Sequence, residues 1–359
     1  MKKIAILLTL LLAGMMAACS EWTVPEALPI ERPSIEAENP ALYQQYLENL
    51  RNYKKSYHPL LIGWFDNSDK SFSGRASHLK ALPDKVDIVA LMYGDNLADV
   101  EREEMAAIRN DKGTKTVYTI DYEAFLLDIN TRNEEIDALN EAGAIAAAEA
   151  GEDYTPIPLL VPDEELPGFM DNQLALLDKY GYDGFGFHYV GKSSAVMTPA
   201  QKAELQATQD ILLTKLGAVM QRYPEKLFLF EGRPDRLLNK ELLADFDYIV
   251  FRTQTATNTL ALTETVKISL VTDVPANNII VCASPYSTDT QDTKTGRMTD
   301  ETGATLPAIT AMAWWVTVSD SFTKAGLGVY RINDDYFNPE TDYKLTREAI
   351  EIMNPSSKN

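Results

Sequence analysis

The stretch Tyr182–Val190, which reads Tyr-Asp-Gly-Phe-Gly-Phe-His-Tyr-Val, is the most informative part of this 359-residue chain. A turn-forming Asp-Gly pair is followed by large aromatic residues at every second position. This period of two is that of a β-strand, in which successive side chains point to opposite faces of a sheet. We therefore predict a strand over 184–190, with Gly186, His188 and Val190 together on the face opposite the aromatic rings.

Seven further apolar runs lie on either side of this stretch. Several segments between them, such as Pro199–Tyr223, Asp235–Phe246 and Thr305–Phe322, have apolar residues at three- and four-residue spacing and are long enough for crossover helices. Strand and helix alternating eight times close most simply into a single (β/α)8 TIM-type barrel, so we expect an α/β fold. The eight predicted strands are Leu60–Phe65, Val86–Tyr93, Thr116–Ile120, Gly184–Val190, Leu227–Phe230, Tyr248–Phe251, Asn278–Cys282 and Gly326–Ile332.

The connection after the third predicted strand is unusually long. Its segment Asn133–Ala150 is rich in Ala and Glu and has the pattern of an amphipathic helix, after which Pro156 and Pro158 interrupt the chain. Two interpretations stay open, because a long connection is either an excursion that protrudes from the barrel or an ordinary crossover helix with a loop added.

The N-terminus predicts export from the cytoplasm. Two lysines precede an apolar run, Ile4–Met16, that is too short to span a bilayer, so residues 1–18 are typical of a signal peptide. The sequence Met16–Cys19 resembles a bacterial lipobox, which implies that a lipid is attached to Cys19. The alternative is a soluble secreted protein whose signal peptide ends near a cysteine.

Residues 19–40 contain four prolines with glutamates between them, a composition typical of an extended spacer. We therefore expect a lipid-anchored, Pro-rich tether over 19–40 and a barrel domain over 41–354. Ser20-Glu21 resembles the acidic export tag of Bacteroidetes surface lipoproteins. The expected location is the outer membrane, facing the cell surface, and anchoring that faces the periplasm is the alternative.

The charge balance narrows the class of partner. Asp and Glu number 53 against 33 Lys and Arg, a net charge of −20, which disfavours nucleic acid and favours a neutral ligand. Cys282 is the only cysteine besides Cys19, so lipid on Cys19 leaves no partner for a disulfide. The three histidines are far apart in sequence and no phosphate-binding glycine loop is present, so we predict neither a metal site nor a cofactor.

Polar and aromatic residues follow most of the predicted strands. The carboxyl ends of all barrel strands open into one shared mouth, so these side chains are expected to converge there. Aromatic rings stack on the apolar faces of sugars while polar groups bind their hydroxyls, which makes an oligosaccharide the expected ligand. The predicted ligand-binding residues are Asp66, Tyr93, Asp121, Glu123, His188, Tyr189, Glu231, Arg252, Gln254, Tyr286, Tyr330 and Asn333.

Two carboxylate groups in this set have alternative interpretations. Asp121 and Glu123 lie two residues apart, which places both on one face of an extended segment, and we favour binding of ligand hydroxyls for them. Glu231 lies close to Arg233 in sequence, and for this pair we favour an ion pair at the barrel rim.

The stretch around Gly186 resembles the fourth-strand signature of family 18 glycoside hydrolases, Asp-Gly-x-Asp-x-Asp-x-Glu. Asp183 and the following glycine match it, whereas Gly186, His188 and Val190 stand where the family has Asp, Asp and Glu. The resemblance implies that the missing Glu would protonate the departing glycosidic oxygen and that the missing Asp beside it would orient the 2-acetamido group of the substrate. A general acid contributes roughly 10²–10⁴-fold in rate, and valine has no proton to donate.

The order of the eight runs also resembles this family, and Tyr330 matches the aromatic residue of its last strand. The chain is similar in particular to endo-β-N-acetylglucosaminidase-like lipoproteins of Bacteroidetes, which implies a place beside an outer-membrane glycan-uptake transporter. Our first hypothesis is a non-catalytic protein that captures oligosaccharide containing N-acetylglucosamine, such as an N-glycan. The alternatives are an active endoglycosidase with a relocated acid, Glu231, Glu123 or Asp121, and a protein-interaction scaffold within an uptake complex.

Overall fold

A closed barrel of eight parallel strands forms the centre of the molecule, and it confirms the predicted (β/α)8 fold. The computed structural model describes residues 35–287, 289, 291–300 and 302–356. The barrel strands are β1 Leu60–Phe65, β2 Ile88–Leu91, β3 Lys115–Asp121, β4 Gly184–Tyr189, β5 Leu227–Gly232, β6 Tyr248–Phe251, β7 Ile279–Ala283 and β10 Lys324–Tyr330. They follow one another around the barrel in the order β1, β10, β7, β6, β5, β4, β3 and β2.

Helices surround the barrel, and a small antiparallel pair, β8 (Arg297–Thr299) with β9 (Thr305–Pro307), lies between β7 and the next helix. The helices are α1 Ile35–Glu38, α2 Pro40–Lys55, α3 Asp99–Ala107, α4 Tyr122–Ala150, α5 Pro162–Tyr180, α6 Pro199–Arg222, α7 Thr259–Ser269, α8 Ala308–Thr317 and α9 Lys344–Met353.

The chain divides into two compact units between Tyr46 and Leu47, and the whole barrel belongs to the second unit. The predicted signal peptide, Cys19 and most of the predicted tether lie outside the described residues. In the described part of that tether, the expectation of an extended chain is wrong for Ile35–Glu38, which form one helical turn. No helix among residues 35–356 that the structure describes is long and apolar enough to cross a membrane.

The two faces of β4 have different environments, as the alternation of its side chains predicts. Phe185 and Phe187 are fully buried in the layer between the sheet and the helices. Gly186 and His188 face the barrel interior, where Gly186 lies against Thr119 of β3 and Glu231 of β5. This strand therefore contributes bulk to the outer core, and on the inside of the barrel Gly186 leaves room for side chains of the neighbouring strands.

A recurring carboxylate contact closes the N-terminal end of the barrel. Asp183, the first residue of the motif, accepts a hydrogen bond from the backbone N–H of Thr116 at 2.8 Å. Asp87 and Asp247 accept equivalent bonds, also at 2.8 Å, from the N–H groups of a neighbouring strand. Asp183 thus satisfies backbone donors at the end opposite the mouth, and its role in this chain is to hold strands together.

Two of the predicted crossover helices are wrong in part. The segment predicted as a helix over Asp235–Phe246 forms two short 3-10 turns, Pro234–Arg236 and Glu241–Asp245, because the buried side chain of Gln209 bonds the backbone between them. The segment from Thr305 to Phe322 begins as β9, and its helix ends after Thr317.

The long connection after β3 protrudes from the barrel, which favours the first of the two interpretations. Helix α4 starts at Tyr122, eleven residues before the predicted start, and only its first turns are buried. Leu139 is 59% exposed and Ile145 is 56% exposed. The chain returns along the same helix, braced by the side chains of Asn133 and Asn140. We call α4 together with residues 151–161 the arm.

Candidate active site at the barrel mouth

A buried ion-pair network lies inside the carboxyl end of the barrel. Arg252, directly after β6, donates to Glu231 Oε2 through Nη2 at 2.7 Å and through Nε at 3.1 Å. Its Nη1 is 3.9 Å from Asp121 Oδ2 at the end of β3. Burial lowers the pKa of Arg252, but the adjacent carboxylates of Glu231 and Asp121 raise it by more. The pKa of Arg252 is therefore above its ordinary value. The guanidinium therefore remains charged and ties three strands together.

The carboxylate of Glu231 fills the space beside Gly186. A Cβ atom on Gly186 would lie 2.0 Å from Glu231 Oε1, which also accepts a hydrogen bond from Thr119 Oγ1 at 3.0 Å. Glu231 is completely buried. A carboxyl group is thus present where the family motif has an aspartate, but it comes from the neighbouring strand β5.

His188 and Asp121 form the second part of the network. His188 Nδ1 lies 3.0 Å from Asp121 Oδ1, within the distance of an ion pair. The geometry of this contact does not meet the criteria for a hydrogen bond. Asp121 also caps α4 by accepting from the backbone N–H of Ala124 at 3.0 Å. Burial raises the pKa of Asp121, but His188, the Ala124 N–H and Arg252 lower it more strongly, so its net pKa lies below the ordinary value.

Val190 lies at the rim, one residue beyond the end of β4, and is 40% exposed. Its backbone N–H and that of Gly191 each donate to Glu123 Oε1 at 2.9 Å. The predicted extended segment through Asp121 and Glu123 is therefore wrong, because the helix begins at Tyr122 and Glu123 belongs to its first turn. Glu123 binds the backbone that follows β4, which holds its carboxylate beside Val190.

These contacts determine which chemistry the mouth can perform. Glu231 is buried against a guanidinium, Asp121 lies beside an imidazole and a helix N-terminus, and Glu123 accepts two backbone N–H groups. The pKa of Asp121 lies below its ordinary value, which disfavours its protonated form. Glu231 is completely buried and Glu123 accepts two backbone N–H groups, whereas a general acid must direct a proton to the leaving group, so none of the three is arranged for that role.

A cleft of about 300 Å³ opens beside this network, between the ends of β2 and β3 and the start of the arm. Tyr93, which is nearly half exposed, lines it together with Asp121, Thr119 and the amide side chain of Gln173. On the other side of the network, the half-buried ring of Tyr330 lies 5.6 Å from the guanidinium carbon of Arg252. An aromatic ring, hydroxyls and amides around a concave space are the groups that bind sugars.

Two of the predicted ligand-binding residues have structural contacts instead, and one predicted ion pair is not formed. Tyr189 points away from the barrel interior, is fully buried, and accepts a hydrogen bond from Gln209 at 2.6 Å. Asn333 exchanges two hydrogen bonds with the backbone of Asp66, so this side chain joins the ends of β1 and β10. The predicted pair of Glu231 with Arg233 is wrong, since Arg233 pairs with Asp235 at 2.7 Å.

The remaining predicted residues lie at the same end of the barrel. The side chain of Asp66 pairs with Arg331 at 2.9 Å, and Gln254 is half buried on the turn after β6. Tyr286, after β7, lies under the guanidinium of Arg297 at 4.4 Å.

A smaller cleft of about 190 Å³ beside Tyr286 is lined by Phe337, an aromatic residue that was not among the predicted ligand-binding residues. Phe337, which is 68% exposed, lines this cleft together with Asp334 and Asn338. Its position seven residues after Tyr330, the last residue of β10, was the available signal, because the loop after a barrel strand borders the mouth. Among the described residues, no three His, Cys, Asp or Glu side chains are arranged to hold a metal ion.

Known proteins support the same fold. A structure of BT1044 from Bacteroides, a selenomethionine form with one Glu-to-Gln substitution, is 18% identical, covers 89% of this chain and 95% of its own, and superimposes with a TM-score of 0.61. The endo-β-N-acetylglucosaminidase of Cordyceps militaris is 20% identical over 87% of this chain and 96% of its own, with a TM-score of 0.54. A variant of that enzyme in complex with fucosyl-N-acetylglucosamine-Asn is 19% identical, covers 86% and 95% of the two chains, and gives 0.53.

No curated protein matches the sequence. The family model for glycoside hydrolase family 18, BT1044-like, matches residues 23–352, which is nearly the whole chain. With the barrel and the position of the fourth-strand motif already established, this match shows that the chain belongs to the BT1044-like group of glycoside hydrolase family 18.

Proposed function

We propose that this protein holds an oligosaccharide containing N-acetylglucosamine at the barrel mouth without cleaving it. The observation that carries the proposal is the end of β4, where Val190 stands at the position of the family's proton donor. The nearby carboxylates do not replace that donor, since Glu231 pairs with Arg252, Asp121 lies beside His188, and Glu123 accepts two backbone N–H groups.

The surroundings of the network support sugar binding. Tyr93 and Tyr330 present aromatic rings on either side of it, and Thr119 and Gln173 add polar groups. In its structure, the Cordyceps enzyme variant binds a fucosylated N-acetylglucosamine linked to Asn, which makes the core of an N-glycan the first ligand to test. Binding by ring stacking and hydrogen bonds requires no proton transfer, so it is compatible with the loss of the acid.

Calorimetric titration with a chitobiose-core glycan and with a high-mannose glycan tests the proposal. We expect Tyr93→Ala to weaken binding roughly tenfold, because a stacked ring contributes about 1 kcal/mol beyond its buried area. Tyr57→Ala is the matched control, since Tyr57 is almost fully exposed and precedes β1, at the end of the strands opposite the mouth. No heat of binding at millimolar glycan, or equal loss in both variants, contradicts the proposal.

The second candidate function is an endoglycosidase with a relocated acid, and one observation favours it. The Glu123 carboxylate lies next to the backbone of Val190, so a carboxyl group is present near the position of the lost donor. This candidate predicts release of glycan from N-glycoprotein, and it predicts that Glu123→Gln abolishes the release. Our proposal predicts no release by either form of the protein.

We also propose attachment to the outer membrane through a lipid on Cys19, with the barrel on the cell surface, which the signal-peptide and lipobox patterns support. A position beside a glycan-uptake transporter is proposed from the family resemblance alone. In cells we expect the protein in the membrane fraction and accessible to added protease. Cys19→Ser removes the sulfur that carries the lipid, and we expect loss of lipid labelling, with Cys282→Ser as the matched control that keeps it. Labelling that persists in Cys19→Ser contradicts the anchor.

A further inference from the structure

A second cavity lies at the opposite end of the barrel, at the N-terminal ends of the strands. It encloses about 430 Å³ and is bordered by the first residues of β1, β2, β3, β5 and β6. Six cationic side chains line it, against the three carboxylates Asp87, Glu225 and Asp247. The cationic residues are Arg51, Lys54, Lys55, Arg109, Lys115 and Lys226. We call this site the basic cavity.

The positive charge of the basic cavity contrasts with the rest of the molecule. The chain as a whole has a net charge of −20, yet the lining of this cavity has three positive charges in excess. Two of its three carboxylates are occupied, because Asp87 and Asp247 accept hydrogen bonds from backbone N–H groups of neighbouring strands. A positive region of this kind in an acidic protein attracts anions.

Most of these cations are held in place without being neutralised. Arg51 donates to the backbone carbonyl of Asp111 at 2.8 Å, and Lys226 donates to that of Tyr182 at 2.5 Å. Two of the six form ion pairs, both with Asp183: Arg109 at 2.9 Å and Lys115 at the longer distance of 3.8 Å. A carbonyl oxygen orients a cationic group but leaves its formal charge uncompensated, so the charge remains available to a ligand.

Lys54 is a largely buried member of this set. Its Nζ donates to the carbonyl of Val86 and to Thr114 Oγ1, both at 2.6 Å. An ammonium group has three N–H donors, so one donor remains for a further acceptor. Burial lowers the pKa of Lys54 to about 8, although Asp87 acts in the opposite direction. A buried ammonium of this kind gains stability when an anion binds beside it.

The floor of the basic cavity is apolar. Leu60, Ile88, Leu227 and Tyr248 form it at the starts of their strands. An anionic group alone would fill only part of this volume, and the apolar floor suits a ligand whose charged group is attached to a larger body.

We propose that the basic cavity binds a phosphate group, either of a soluble phosphate ester or of a lipid headgroup. A phosphate offers several acceptor oxygens and up to two negative charges, which match a rim of separate lysines and arginines better than a single carboxylate does. Residues 47–55 lead into the barrel at this same end. A lipid source is therefore reasonable if the chain is tethered through its N-terminus.

The test is a calorimetric titration of the full chain with inorganic phosphate and with glycerol 1-phosphate. Lys55→Gln combined with Lys115→Gln removes two exposed charges from the cavity rim. We expect this pair to weaken phosphate binding roughly tenfold, since each charge contributes up to about 1 kcal/mol near the surface. Lys202→Gln with Lys294→Gln is the matched control, because it removes the same charge from exposed positions that do not line the cavity. The control pair should bind phosphate as the unchanged chain does.

Vesicles distinguish the two sources of phosphate. Stronger sedimentation with phosphatidylglycerol than with phosphatidylcholine vesicles, reduced by the Lys55/Lys115 pair and by free phosphate, supports the lipid headgroup. Binding of glycerol 1-phosphate without this vesicle preference supports a soluble ester. The proposal is overturned if neither phosphate nor anionic vesicles bind, or if the control pair weakens binding as much as the cavity pair.

Discussion

Glu231 is the residue on which the mouth of the barrel depends. It reaches from β5 into the space beside Gly186 and holds Arg252, which in turn faces Asp121. The sequence supplies both Glu231 and Arg252 as residues that follow strands, but their pairing depends on the relative register of β5 and β6. Arg233, only two residues away from Glu231, was therefore the more obvious partner. In the structure, Arg233 instead forms an ion pair with Asp235.

Glu231→Gln tests the importance of this buried pair. Because Arg252 would be left with a largely uncompensated buried charge, we expect the free energy of unfolding to fall by about 3 kcal/mol. The control is Lys344→Gln, which breaks an ion pair with the exposed Glu340 and should cost less than about 1 kcal/mol. Urea unfolding of the two variants measures the difference. Equal losses would mean that the mouth does not depend on Glu231.

The lowered pKa of Asp121 predicts how the stability of the protein depends on pH. Its pKa is lowered in the folded chain, so its ionised form contributes stability at pH values above the ordinary pKa of 3.8. That contribution is lost as the pH falls through the lowered pKa. We expect Asp121→Asn to be less stable than the unchanged chain at neutral pH and to approach it in acid. A stability difference that stays constant between neutral and acid pH contradicts this account.

At the scale of elements, the barrel strands were predictable and the boundaries of the helices were less so. Alternating side chains in β4 and apolar runs in the other strands identify all eight barrel strands. The start of α4 was missed because its first turns, with Phe125 and Ile129 buried, follow β3 without an intervening loop, and Asp121 serves both strand and helix. The hydrogen bonds of Gln209 that replace the predicted helix after β5 come from α6 and are not visible in the local sequence.

The arm is held together by few contacts, and Asn140 makes three of them. Its side chain bonds the backbone N–H of Ile157 at 2.7 Å, the carbonyl of Ile157 at 2.9 Å and the hydroxyl of Tyr154 at 2.8 Å. We expect Asn140→Ala to speed proteolysis of the arm several-fold while the urea midpoint of the barrel stays unchanged, because exposed segments open locally.

Asn130→Ala is the matched control for this experiment, since Asn130 is an exposed asparagine of the same helix. It should be cleaved at the rate of the unchanged chain. Proteolysis rates that are equal in the Asn140 and Asn130 variants would show that the return segment is held by other contacts.

The whole molecule presents two chemically different ends. The mouth combines aromatic rings with a network of charges that compensate one another, and the opposite end has an excess of positive charge. The eight apolar runs indicated the barrel, and the resemblance to the family 18 motif indicated the lost acid. The basic cavity was not predictable, because only the closed barrel brings the three cations of α2 together with Arg109, Lys115 and Lys226.

The central claim is that the mouth holds glycan and leaves it intact. One measurement tests it directly: a chitobiose-core glycan labelled at its reducing end is mixed with an equal amount of protein, and bound and cleaved label are quantified from the same sample over a day. We predict that label is bound and that all of it remains in intact glycan. Cleaved glycan that accumulates with the unchanged chain and disappears with Glu123→Gln would contradict the account.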